Sequence, residues 1–403
     1  MNRREFVRRT AIGALGAGTV LQSIGTVSAA ATPRVVRKGD MVYRRLGRTN
    51  LLVSELSVGG SPNPEPAVFT RALDRGMNYV DSSVAYRGSE ERIGEVVAGR
   101  RQDIVISTKC HTGRMDDPET QVVEACEAAL RRINTDYIDI WCVHGVDRPE
   151  QFLADGVQAG FAQLKQQGKI RFAGASFHSP MTALPPVIES GALDVALVPF
   201  NVFSGTTVRK EDVDAGKVYD NWLADSGLQG VLELAQRNDI GVVAIKTMAG
   251  GARQKLDAFR TGDTTLAQAK LKWVLSHEAV ASALSEVLSY TILEDNLGAV
   301  GRTLTPEDQA MLDAHVRERS ASVCRMCGAC ERACPARVPI RDVLRCITYR
   351  DLHGKAAYAR AVYREHVGRA AVAACGDCVA CARACPHGID IPGSLHHARR
   401  VFV

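Results

Sequence analysis

A chain of 403 residues exceeds one average domain but is close to one barrel plus a small module. With 46% apolar and 24% charged residues the composition is ordinary globular material, which excludes a disordered or collagen-like chain. The net charge is +5, of which +3 belongs to the first 31 residues, so the total gives no reason to expect nucleic acid or a membrane surface as a partner.

Asn2-Arg-Arg-Glu-Phe-Val-Arg8 resembles the twin-arginine export signature, an adjacent arginine pair with an apolar residue close behind. Residues 1–31 are therefore read as a signal peptide for the twin-arginine export machinery and set aside from the fold. Val27-Ser-Ala29 or Ala29-Ala-Ala31 suits a small-residue cleavage site. A periplasmic or other extracytoplasmic location follows as an expectation. Ala11 to Gly25 is apolar but too short to span a bilayer, and no other stretch is apolar for 18 residues. The mature chain is expected to have no membrane span.

Tyr43 to Val53 reads as two short strands around a Gly-Arg-Thr-Asn turn. Strands and helices then alternate. Strands are expected near Leu56–Gly59, Asn78–Asp81, Ile104–Lys109, Tyr137–His144, Arg171–Ser176, Val195–Val198, Val242–Ile245 and Ser282–Leu284. Helices are expected at Pro66–Arg75, Glu90–Ala98, Thr120–Arg131, Val157–Gln167, Met181–Glu189, Asn221–Arg237, Leu266–Ser276 and Leu293–Val300. Eight of each predicts an α/β fold, a (β/α)8 TIM barrel over 43–304. A doubly wound sheet is disfavoured because no Gly-x-Gly-x-x-Gly turn follows the first strand.

Three of these strands end informatively: Asp81 with Tyr86 just beyond it, Lys109, and His144. A barrel gathers strand C-termini on one rim, where catalysis is built. These side chains suit proton delivery to a carbonyl oxygen. A free phenol has a pKa near ~10 and is a poor acid at neutral pH. An ammonium beside it favours the phenolate, and a carboxylate would hold that ammonium in place. His144 would orient the oxygen. The bland alternative makes Asp81 a helix cap, Lys109 a solvated rim residue and His144 a core filler.

The ordered set of Asp81-x4-Tyr86 with Ser-Glu-Glu behind it, Ser107-Thr-Lys109, and Tyr137 to His144 resembles the aldo-keto reductase tetrad. The likeness runs from Tyr43-Arg-Arg-Leu-Gly47 to about Arg302 and includes Gly168 to His178 and Gly241 to Gly251. It implies a nicotinamide dinucleotide across the rim, with Ser176 on the carboxamide, Lys246 and Gly250 at the pyrophosphate and Asn296 on the adenine side. Strand-end and helix-cap bonding is the alternative for Ser176 and Asn296. The sequence departs from the family at Phe177, where Asn is common, and at Leu197, where Gln is common. The loop Glu286–Ile292 lacks the usual cations for a 2′-phosphate, and Glu286 would repel one, which favours NADH over NADPH. The long loop Val202 to Leu223 lies on the catalytic face, and Trp222 is a candidate pocket residue, whereas core packing suits Trp141.

Beyond Thr305 the character changes. Thr305-Pro-Glu-Asp opens a helix to about Arg319. Cys324-x2-Cys327-x2-Cys330-x3-Cys334-Pro335 then recurs 51 residues on as Cys375-x2-Cys378-x2-Cys381-x3-Cys385-Pro386. This is the spacing of bacterial ferredoxins, and it predicts a small, mainly helical ferredoxin-like domain over 320–403. Two [4Fe-4S] clusters are expected, each held by three cysteines of one run and a fourth exchanged from the other, although the spacing alone does not fix which fourth cysteine serves which cluster. Zinc and disulfides are the alternatives. Cys110, Cys126, Cys142 and Cys346 share no pattern and read as packed thiols. The segment from Ser320 carries a net charge of +7, which suits balancing anionic clusters, a solvated face or a docking site for an acidic redox partner.

Together these features are identified with the iron–sulfur branch of the aldo-keto reductases. The expected activity is interconversion of a small carbonyl and its alcohol, with electron relay through the clusters. The alternative is an electron-transfer protein whose barrel is a silent scaffold.

Overall fold

The computed structural model describes residues 34–112, 116–177, 180–204, 228–249, 260, 262–376 and 378–403. The signal peptide, Gly250, Trp222 and most of the long loop from Val202 lie outside the described residues. Strands β1 (Val35–Lys38), β2 (Met41–Arg45) and β3 (Leu52–Ser54) form an antiparallel sheet, of which β1 was not expected. Eight parallel strands close a barrel: β4 (Leu56–Gly59), β5 (Tyr79–Asp81), β6 (Val105–Cys110), β7 (Ile138–Val146), β8 (Ile170–Phe177), β9 (Val195–Pro199), β10 (Gly241–Ile245) and β11 (Val280–Ser285). The expected barrel helices are present wherever the chain is described. The last runs Tyr290–Leu297, three residues ahead of its expected start, because Ser289 caps the Ile292 amide.

Period-two alternation builds two apolar layers. Tyr79, Val105, Ile140, Val195 and Val243 face the barrel interior, while Val80, Ile106, Val143, Val198 and Val242 pack outward under the helices. The β2–β3 connection closes the bottom, for Leu46 is fully buried in the interior layer beside residues that open β5, β6 and β9. Helix ends are fixed by side chains. Thr265 and Thr305 each form a capping box, with Gln268 and Asp308, and Pro306 occupies the first turn of Pro306–Arg319.

Gly94 lies where the helix Ser89–Val97 meets the end of Pro118–Ile133, and a methyl there would sit 2.3 Å from the Ile133 carbonyl oxygen. The obstacle is backbone and cannot rotate away. Gly94→Ala is expected to destabilise the protein by about 1–3 kcal/mol, read as a lowered melting midpoint.

The C-terminal segment is helical, and the duplication is visible in its backbone. Helices Ala329–Arg332 and Ile340–Ile347 in the first half match Ala380–Ala384 and Ile391–Phe402 in the second. The equivalent residues Arg337 and Gly388 both adopt left-handed backbone, with φ of 52° and 63°. Val338, Ile340, Val343, Tyr363, Ile389, Ile391 and Leu395 form this segment's own core. All the described residues fall in one contact unit, and the helical segment is fastened to the barrel by polar contacts. Arg341 pairs with Asp147 at 2.9 Å, Lys355 pairs with Glu286, and the Tyr358 hydroxyl meets Ser61 Oγ at 2.5 Å. Among the described residues no helix is long and apolar enough to cross a membrane.

Candidate functional site

Alternation within each strand aims three polar side chains inward at the rim. Below Asp81 the inward residue is Tyr79, below Lys109 it is Ser107, whose hydroxyl donates to Asp81, and below His144 it is Cys142. Neighbouring strands hold the levels together, with Asp81 opposite Ser107 and Lys109 opposite Cys142. Tyr86 follows β5 on a turn closed by its amide on the Ser83 carbonyl at 2.8 Å. All four residues line one cavity of about 280 Å³.

Lys109 is 2% exposed and donates to both Asp81 oxygens, at 2.6 and 2.5 Å. The same ammonium lies 5.6 Å from the Tyr86 ring centroid. Burial pushes the Asp81 carboxyl up, and the ammonium pulls it part of the way back. The His144 ring stands edge-on to Tyr86 at 5.6 Å and stacks on His111 at 4.3 Å. Burial, then the charges of Lys109 and His111, hold the His144 imidazole well below its usual pKa, so it is neutral at physiological pH. Ser83 Oγ lies 2.9 Å from its Nδ1 and donates to the Lys109 carbonyl at 3.2 Å, which fixes the orientation of the ring. A phenol, an ammonium held by a carboxylate and a neutral imidazole can together bind a carbonyl oxygen and exchange one proton with it.

Ser176 and Lys246 line the same cavity. Ser176 Oγ accepts the Gly145 amide at 2.9 Å, and Lys246 turns in with a left-handed φ of 57°. Asn296 differs from expectation. It is 1% exposed, is absent from the cavity wall and donates to the Glu286 carbonyl at 2.9 Å. Glu286 does line the cavity, but its carboxylate is paired with Lys355. The repulsion expected toward a 2′-phosphate is thereby largely neutralised, and the physical argument for NADH over NADPH goes with it. Trp141 is fully buried, as its packing role requires.

The roof of the cavity comes from the C-terminal segment, which sequence reading did not foresee. Cys324, Arg325, Arg345, Tyr349 and Tyr358 face the same space as Tyr86 and His144. No local pattern marks these residues, since only the docking of helices on the rim makes them neighbours of the strand ends.

All twelve cysteines are free thiols. The eight in the two runs border two further cavities, and each cavity draws on both runs. Cys324, Cys327 and Cys330 share one with Cys385, while Cys375, Cys378 and Cys381 share the other with Cys334. Among the described residues no three His, Cys, Asp or Glu side chains are spaced to hold a single metal ion. Burial pushes the Cys110, Cys142 and Cys346 thiols up to about 12, as befits inert packed residues. Cys126 is raised for the same cause.

Residues 65–262, just under half the chain, match the model of the aldo/keto reductase family. An uncharacterized oxidoreductase of Bacillus subtilis, YqkF, is 27% identical over 69% of this chain and 97% of its own length. The methylglyoxal reductase YeaE of Escherichia coli is 24% identical over 62% of this chain and 83% of its own. Among solved structures, the aldo-keto reductase AKR11C1 of Bacillus halodurans superposes with a TM-score of 0.52 at 24% identity, over 68% of this chain and 95% of that one. An aldo-keto reductase of Klebsiella pneumoniae in complex with NADPH gives 0.51 at 24%, over 67% and 93%. The two structures show the same fold, and the family model and relatives support the same family.

Proposed function

We propose that this protein is an oxidoreductase of the aldo/keto reductase type that interconverts a small carbonyl compound and its alcohol in the roofed cavity, using a nicotinamide dinucleotide. The observation that carries this reading is the convergence of Asp81, Tyr86, Lys109 and His144 on one cavity. When bound, the dinucleotide supplies or accepts a hydride at the carbonyl carbon. Tyr86 exchanges the proton at the oxygen. Lys109, held by Asp81, favours negative charge on the phenol oxygen. His144 orients the substrate oxygen through Nε2. Ser176 and Lys246 would hold the dinucleotide, with Gly250 in the adjoining loop. Asn296 is bound up in the fold and is left out of that set.

For the thiols we propose two [4Fe-4S] clusters with crossed ligation, one on Cys324, Cys327, Cys330 and Cys385, the other on Cys375, Cys378, Cys381 and Cys334. The thiol donors and their grouping around two voids fit such clusters. Bound there, they would supply one-electron transfer toward a redox protein partner. Cys378 is exposed, so the second cluster is the one a partner would reach. Export in folded form by the twin-arginine route, to an extracytoplasmic location, is part of the same proposal, since clusters are inserted before crossing.

Anaerobic purification with iron, sulfide and nucleotide analysis tests both parts. About eight irons per chain are expected. The crossed pairing has its own signature. Cys334→Ala and Cys378→Ala would each lose about four irons, and the double variant no more than either alone. Loss of all iron in the double variant would show uncrossed clusters. Titration with NADH and NADPH tests the barrel, and binding of neither, with none co-purifying, leaves the silent-scaffold alternative.

A further inference from the structure

The roofed cavity is short of anions on the side built by the C-terminal helices. Lys109, Lys246, Arg325, Arg345 and Lys355 line it against two carboxylates, Asp81 and Glu286. Both carboxylates are engaged, Asp81 by Lys109 and Glu286 by Lys355. Arg325 donates to the Ser320 and Val323 carbonyls. Among the described residues Lys246 has no such carboxylate partner, and Arg345 is paired through one Nη only. Burial, then the charge of Arg345, pulls the Lys246 pKa down to about 7.

Arg345 stands on the helix Ile340–Ile347, with its side chain 15% exposed. One Nη meets Asp342, a turn earlier on the same helix, at 2.9 Å. Its Nε is buried and has no hydrogen-bond partner among the described residues. A buried guanidinium N–H without an acceptor is costly and calls for an oxygen from elsewhere. Arg345 lines the same cavity as Tyr86 and His144, where a carbonyl oxygen would be gripped.

We propose that Arg345 binds a carboxylate on the substrate, so that the compounds turned over are small 2-oxo acids and the matching 2-hydroxy acids. This rests on the reductase reading above and names its substrate class. The oxo oxygen lies between Tyr86 and His144, and the adjacent carboxylate lies on Arg345. In the reducing direction the C=O π bond breaks, a C–H bond forms with the hydride of the reduced dinucleotide, and an O–H bond forms with the Tyr86 proton. The phenol regains its proton from solvent. Arginine suits this better than lysine, because its planar fork matches both carboxylate oxygens. The cavity volume, near the small end of the range for ligand sites, admits a short acid. Lys246 is left for the dinucleotide phosphates. The helical segment thus completes the substrate site, and a barrel without it would lack the anchor.

The test uses the full chain, purified anaerobically with its iron, and oxamate as the probe, since oxamate carries a carboxylate beside an unreactive carbonyl. Calorimetric titration is run on the unmodified protein, Arg345→Gln and Arg345→Lys, with acetamide as the neutral control. Expected are one oxamate site per chain, at least tenfold weaker binding in Arg345→Gln, partial retention in Arg345→Lys and no site for acetamide. The ratio of kcat/KM for a 2-oxo acid to that for a neutral aldehyde should collapse with the same substitution. Oxamate bound equally by the unmodified protein and Arg345→Gln, or by neither, overturns the proposal. A site lost with Arg345 in a protein that binds no dinucleotide would keep the anion anchor and sink the reductase reading. Dinucleotide-dependent turnover with oxamate binding untouched by Arg345→Gln would do the reverse.

Discussion

Tyr86→Phe is expected to lower kcat/KM for carbonyl reduction by roughly 10²–10⁴-fold, the usual share of a positioned general acid. The substitution removes one oxygen and keeps the ring. The edge-on contact with His144 and the position under the Lys109 ammonium are properties of that ring, so the cavity wall should stay in place. Iron content and melting midpoint are expected to match the unmodified protein, because Tyr86 belongs to neither apolar layer of the barrel nor to the thiol cavities. Steady-state kinetics with iron analysis of the same preparation checks both halves. Turnover within a few-fold of the original would take the proton-transfer role away from Tyr86.

Lys109→Met is expected to cost about 3–5 kcal/mol of stability, because it strands a carboxylate that is 5% exposed. Asp81 would keep Ser107 Oγ at 3.1 Å as a donor and lose its counter-charge. The pH dependence has a definite sign. Asp81 already sits above its usual 3.8 when folded, and removing the ammonium raises it further. Between 3.8 and that raised value the folded variant binds more protons than the unfolded chain, so its stability falls as pH rises through the window and recovers in acid. Asp81→Leu combined with Lys109→Met removes both charges and should restore much of the loss at neutral pH. Denaturation midpoints of the three proteins across pH decide the matter. Equal midpoints for Lys109→Met and the original protein would mean that this pair does not stabilise the fold.

Several features are legible in the sequence alone. Alternation along β5, β6 and β7 turns Asp81, Lys109 and His144 to the inward face near the strand ends, and a period of two is a property of the chain itself. The thiol spacing and its 51-residue repeat likewise reappear as helices repeated at the same offset. The bond from Asn296 to the Glu286 carbonyl is not legible in the same way. A resemblance transfers a position, whereas whether that side chain faces a groove or a carbonyl depends on the local course of the loop at Glu286.

What the sequence determined by itself was local and periodic: eight strand–helix beats, three polar strand ends, and two thiol runs with a fixed interval. Only the tertiary structure decided that the helices from Ile340 onward close over the barrel mouth, that Cys334 and Cys385 exchange sides, and that Glu286 is neutralised by Lys355. The physical reason is range. Strand alternation and helix capping are set within a few residues, while ion pairs such as Arg341 with Asp147 join positions far apart in the chain and exist only after both surfaces have formed.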